Sequence, residues 1–94
     1  MKEEFKALDS ERATLRLLLC LAYECPCHPR TELRNSLRKH GVGGTAFMAS
    51  LDRLRELGLI QETTRDDGRR VTVTCLTEKG VRVAEKVSEL YDAL

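Results

Sequence analysis

Leu51 to Gly80, LDRLRELGLIQETTRDDGRRVTVTCLTEKG, constrains the fold of this chain more than any other stretch. Apolar residues at helical spacing run up to Gly58, a residue suited to the left-handed conformation that ends a helix. Leu59 to Thr64 then reads as a strand and Arg65 to Arg69 as a turn. Arg70 to Leu76 reads as a second strand, in which Val71, Val73 and Cys75 alternate with Thr72 and Thr74. Thr77 is placed to cap a further helix. A helix, a sharp stop, a hairpin and a new helix start are thus written one after another.

Upstream, residues 1 to 8 form a polar lead-in with Phe5 and Leu8 as anchors. Asp9 or Ser10 can accept from the free first-turn amides of a helix that runs to about Glu24. Ala13, Leu17, Cys20 and Leu21 share one of its faces, and Leu18 and Leu19 widen the stripe enough to imply a largely buried helix. Cys25-Pro-Cys-His-Pro29 cannot continue it, because each proline lacks an amide donor and disfavours a helical residue before it; it reads as a short extended connector. Thr31 caps a second helix, Glu32 to about His40, with Leu33 and Leu37 inward and Arg34, Arg38 and Lys39 outward, and Gly41 ends it. Gly41-Val-Gly-Gly44 is a turn, after which Thr45 caps a third helix to Leu57. Its buried stripe is Phe47, Leu51 and Leu54, flanked by Ser50 and Leu57, while Thr45, Ala46, Met48, Ala49 and Asp52 lie towards the opposite side. The last helix, residues 78 to 94, repeats Val83, Ala84, Val87, Leu90, Tyr91 and Leu94 at three and four. The reading is one domain over residues 1 to 94, mainly α with a small β-hairpin.

Ninety-four residues can bury a modest core without disulfides or metal. Sixteen Lys and Arg against fifteen Asp and Glu leave the chain near neutral, so total charge announces no polyanionic partner. Distribution says more: residues 30 to 70 hold nine Arg/Lys and six Asp/Glu, whereas acidic residues gather at the two ends. No apolar run approaches the roughly 20 residues of a membrane span, and MKEEFKALDSER lacks the apolar core of a signal peptide. A cytoplasmic protein without membrane contact is expected.

The order helix, connector, helix, turn, helix, hairpin, helix resembles the winged helix-turn-helix DNA-binding domain. More locally, Leu54-Arg-Glu-Leu-Gly-Leu-Ile60, Asp67-Gly-Arg-Arg70 and Leu76-Thr-Glu-Lys-Gly80 resemble the end of the recognition helix, the wing and the following helix of MarR-type and PadR-like transcription regulators. The resemblance covers about residues 30 to 82. In the wing, Gly68 stands where that family often has an acidic residue before the paired arginines, with Asp67 adjacent. The chain is shorter than typical MarR regulators, so their long flanking helices are expected to be missing or reduced.

The resemblance implies a DNA-binding transcriptional regulator with duplex DNA as partner. A third helix (45–57) laid in the major groove presents its outward residues, Thr45, Ala46, Met48, Ala49 and Asp52, to base edges. None is Arg, Asn or Gln, so direct readout rests on small apolar contacts such as those to thymine methyls. Phosphate contacts are better provided for, by Arg30, Thr31, Arg34 and Arg38 around the second helix, Arg53 on the third, and Arg65, Arg69 and Arg70 on the basic wing (59–76). Arg69 or Arg70 can also enter the minor groove. The apolar stripe of the last helix, Val83, Val87, Leu90, Tyr91 and Leu94, is longer than one side of so small a domain needs, which points to a homodimer; the alternative is packing on the first helix of the same chain.

The cysteines admit several uses. Cys25 and Cys27 are separated by a single proline, and no second Cys/His pair follows His28, so the spacing does not match zinc sites and no metal is assigned. In a winged helix the connector forms a short strand beside the second wing strand, which brings Cys27 or Cys25 near Cys75; a disulfide there requires α-carbons within about 7 Å. Cys20 reads as a small core residue, and His40 as a partner of helix-end carbonyls. No catalytic set or phosphate-cradling loop can be assembled, since Gly41 to Gly44 lacks the following Lys and Ser/Thr. Neither an enzyme nor a cofactor is expected, and no small-molecule effector is specified. The competing functional class is a winged-helix protein-interaction module, supported by Ala46, Met48 and Ala49 on the outward face.

Overall fold

The computed structural model describes residues 1–9, 13–23, 27–66 and 68–94. Its elements run α1 (Glu3–Leu8), α2 (Thr14–Tyr23), β1 (Cys27–Pro29), α3 (Arg30–Arg38), α4 (Gly44–Glu56), β2 (Ile60–Asp66), β3 (Arg70–Leu76) and α5 (Glu78–Ala93). Strand β3 is central in an antiparallel sheet of order β1-β3-β2. Helices α2, α3 and α4 enclose a core of Leu17, Leu21, Leu33, Leu37, Phe47, Leu51 and Leu54, which Ala84 and Val87 of α5 complete. This is the winged helix-turn-helix fold, with β2 and β3 as the wing.

The junction between α4 and the wing follows from a few residues. Gly58 adopts φ +72°, and its amide donates to the Arg55 carbonyl at 3.0 Å while the Leu59 amide donates to the Leu54 carbonyl at 2.9 Å. Leu54 and Leu59 are both buried, so an apolar pair accompanies the helix stop. Thr77 caps α5 as expected: its Oγ1 accepts from the Gly80 amide at 3.0 Å and donates to the Gly58 carbonyl at 2.7 Å. The Leu59 carbonyl accepts from the Thr77 amide at 3.0 Å, and a Cβ on Gly80 would lie 1.9 Å from that same oxygen. Only glycine lets α5 pass so close to the start of the wing.

Several elements differ from the sequence reading. The lead-in forms helix α1, too short to be stable alone, which docks through Phe5: its ring is fully buried and stands edge-on to Tyr91 with centroids 5.1 Å apart. Lys2 adds a hydrogen bond from Nζ to the Tyr91 carbonyl at 3.1 Å. Leu8, the other expected anchor, is exposed. Asp9 does cap α2, accepting from the amides of Leu15 at 3.1 Å and Arg16 at 3.0 Å, but the helix begins only at Thr14. Ala13 precedes it at φ 58° and is still buried, so it packs without being helical. Ser10 lies outside the described residues.

Helix α3 starts at Arg30 from Pro29, and α4 starts at Gly44 from Gly43, both without a side-chain cap; Thr31 and Thr45 therefore lie inside the first turns rather than before them. Pairing of β1 with β3 fixes Pro29 in extended backbone, and the helix begins at the next residue. Leu57, placed beside the buried stripe by periodicity, is 49% exposed although its backbone is still helical and its amide donates to the Arg53 carbonyl at 3.1 Å.

Candidate nucleic-acid interface

The outward side of α4 and the side of α3 next to it form one surface. Thr45, Met48 and Asp52 are exposed along α4, whereas Ala49 is half-buried and Ala46 packs partly against the core. The exposed face of α4 is therefore narrower than its periodicity suggested, and the Ser50 hydroxyl, on the buried side, donates to the Ala46 carbonyl at 2.9 Å. Arg30, Arg34 and Arg38 recur at i, i+4 and i+8 on one side of α3. Arg34 reaches the first turn of α4: one Nη lies 3.1 Å from where a Cβ on Gly44 would be. Its guanidinium and the free amides of that turn are thus close together, an arrangement favourable to a phosphate oxygen. Thr31, Arg34, Arg38 and Arg53 are exposed.

The wing arginines divide by strand alternation. In the β2–β3 register Arg65 opposes Val71 and Asp66 opposes Arg70. Side chains at Ile60, Glu62, Thr64 and Asp66 share the face towards the helices, together with Leu76, Thr74, Thr72 and Arg70. Arg70 therefore stands on the helix side of the wing and Arg65 on its outer side, with Arg69 in the turn beside Gly68 (φ +81°). All three arginines are exposed. Asp67 lies outside the described residues.

An ion-pair network that the sequence reading missed ties the wing to the helices. Glu62 on β2 accepts from Arg55 on α4 and also faces Arg30, the first residue of α3, at 3.9 Å. Arg55 pairs in addition with Asp52 at 2.9 Å, and Arg30 donates to the Met48 sulfur at 3.4 Å. Hydrogen bonding to Glu62 holds the Arg55 charge more firmly, against the opposing cost of partial burial. The only hint in the sequence is an acid within a threonine-rich strand, seven residues after an arginine, and that spacing means nothing until the turn at Gly58 folds the strand back.

On the sheet's outer face, Cys27 and Cys75 are directly opposed in register with α-carbons 4.0 Å apart and are joined by a disulfide. The bridge expected from Cys25 or Cys27 thus belongs to Cys27; Cys25 lies outside the described residues. Cys20 packs half-buried against the core. Elsewhere, a cleft of about 500 Å³ between α2, β1 and α3 includes His28, Glu32, Lys39 and His40 in its lining. Burial, then the α-amino group, Lys6, Arg16 and Lys39, all push the His40 pKa below its ordinary 6.5. Among the described residues no group of three His, Cys, Asp or Glu side chains is placed to hold a metal, and no helix is long and apolar enough to cross a membrane.

The five apolar residues expected at a dimer interface separate on α5. Val87 is buried, and Tyr91 packs on Phe5 of its own chain. Val83, Leu90 and Leu94, spaced by seven and four, line the flank beside that buried stripe; Val83 is partly buried, and Leu90 and Leu94 are each 39% exposed.

No protein-family model matches this sequence, and no curated protein sequence does either. Solved structures do. A mutant of ZitR from Lactococcus lactis in apo form superposes with a TM-score of 0.72 at 22% identity over 97% of this chain, which spans 61% of the ZitR chain. A transcriptional regulator homologue from Pyrococcus horikoshii OT3 gives 0.69 at 18% identity, covering 99% of this chain and 93% of that one. A PadR family transcriptional regulator from Eggerthella lenta DSM 2243 gives 0.59 at 26% identity, over 88% of this chain and 72% of that one. The architecture is therefore shared with solved transcriptional regulators of winged-helix fold, one of them a PadR family protein.

Proposed function

We propose that this protein is a transcriptional regulator that binds duplex DNA, with α4 in the major groove and the wing along the backbone. The observation that carries this reading is the set of exposed arginines on the elements before and after α4. Arg34 reaches its first turn from α3, while Arg69 and Arg70 occupy the wing that follows it. The outward residues Thr45, Met48 and Asp52 offer little bidentate base recognition, so backbone contact supplies most of the affinity and sequence preference is modest. The likeness to solved transcriptional regulators supports the reading at the level of fold.

The test is fluorescence anisotropy with a labelled mixed-sequence duplex. Binding at low salt should weaken linearly on a log-log scale as salt rises, because each neutralised phosphate releases counterions. Absence of binding at low salt, or affinity indifferent to salt, would remove the DNA reading. The exposed Met48 favours the second reading, a protein-docking surface on α4, and in that case Arg69→Ala with Arg70→Ala would leave partner binding intact.

Dimerisation belongs to the same proposal. Its support is the flank of Val83, Leu90 and Leu94, which lies beside the stripe already used inside the chain. Sedimentation should show a homodimer at micromolar concentration, and Leu90→Asp with Leu94→Asp should convert it to monomer; a wild-type protein that sediments only as monomer contradicts this.

A further inference from the structure

Arg30 is expected from the sequence to meet phosphate, yet its charge already faces an internal carboxylate. Glu62 lies 3.9 Å from its Nη1, the Met48 sulfur takes its Nη2 at 3.4 Å, and its buried Nε makes no hydrogen bond among the described residues. The same carboxylate accepts from Arg55, which is also paired with Asp52. Two guanidinium groups and two carboxylates thus form a neutral group along Met48, Asp52 and Arg55, the side of α4 nearest the wing. The Glu62 side chain is only 16% exposed, so solvent weakens its attraction for arginine less than at the surface.

Resting on the DNA-binding reading, we propose that Glu62 is a specificity-determining residue: its carboxylate occupies Arg30 and Arg55 in place of phosphate and releases Arg30 only to a closely fitted DNA backbone. Guanidinium groups bind carboxylate and phosphate oxygens with the same forked geometry, so the two anions compete for one donor set. On a duplex that fits poorly, no phosphate oxygen comes near enough to displace Glu62, and Arg30 adds nothing to affinity. On a well-fitted site it adds a full contact. Glu62 thereby lowers loose binding more than fitted binding, which is useful to a protein whose groove-facing helix reads bases weakly.

Glu62→Gln keeps the side-chain shape and removes the competing charge. On the mixed-sequence duplex it should bind about threefold to tenfold tighter than wild type, with a log-log salt slope steeper by about 0.9, the value of one added phosphate contact. Glu56→Gln removes the same charge from an exposed α4 residue outside the network and should change affinity less, with the slope kept. Arg30→Ala should cost little in wild type and should cancel the gain in the Glu62→Gln background. Should Gln at 62 melt early, Glu62→Thr, a strand-favouring residue like its neighbours Thr63 and Thr64, carries the same expectation. Glu62→Gln binding no tighter than Glu56→Gln, or Arg30→Ala costing equally in both backgrounds, overturns this inference alone. Failure of wild type and every variant to show salt-dependent binding overturns it together with the DNA reading.

Discussion

The base of the wing and its tip lie a few residues apart and are built on opposite principles. At the base, Leu59, Ile60 and Leu76 are buried, Thr77 donates to the Gly58 carbonyl and accepts from the Gly80 amide at the start of α5, and Cys27 is tied to Cys75. At the tip, Arg65, Asp66, Gly68, Arg69 and Arg70 are all exposed. Packing fixes where the wing begins and how it leaves α4, and charge is carried where packing has ended. Changes at the base should therefore act on stability, and changes at the tip on DNA affinity.

The largest effect is expected at Gly80. An added methyl would collide with the Leu59 carbonyl oxygen at 1.9 Å, and backbone cannot yield as a flexible side chain does. Gly80→Ala should lower unfolding free energy by about 3 kcal/mol, read by urea denaturation. Wild-type stability in that variant would show that α5 can move away from the wing, and would erase the contrast between base and tip. Of comparable size is the effect of the Cys27–Cys75 bridge, which encloses a loop of 48 residues in sequence separation. Its reduction should cost about 2–4 kcal/mol, chiefly by enlarging the unfolded ensemble. Melting with and without a dithiol reductant measures this, and coincident curves would exclude a stabilising bridge.

Much of the base was legible because local chemistry and tertiary structure agree there. Gly58 as a left-handed stop, Thr77 as a cap and the alternation of Val71, Val73 and Cys75 each express a backbone requirement within a few residues. The connector's pairing with β3 followed from the resemblance, which left Cys25 and Cys27 open; the register selects Cys27. Helix α1 was not legible, because six residues form a helix only when Phe5 has Tyr91 to pack on, and Tyr91 lies at the other end of the chain. Val87 and Tyr91 were assigned to a dimer interface by a periodicity that shows an apolar face and not what covers it. Arg55 and Glu62 stayed hidden for a similar reason: an arginine on one element finds its acid on another only after the turn is made. Ala46 was given to the outward face although it borders the core, since small residues at the edge of a stripe carry little signal.

The tip and the outward face of α4 supply the smaller effects, and the most direct test of the account. Affinity for a labelled mixed-sequence duplex is to be measured across a salt series for wild type, for Arg69→Ala with Arg70→Ala, and for Thr45→Ala with Met48→Ala. The wing pair should bind at least about tenfold weaker, with the log-log slope shallower by about 0.9 for each phosphate lost. The α4 pair should change affinity by no more than about threefold and keep the slope, since in the proposed binding mode those side chains face bases rather than phosphates. A wing pair indistinguishable from wild type, with the loss appearing instead in the α4 pair, would contradict the assignment of binding to the wing.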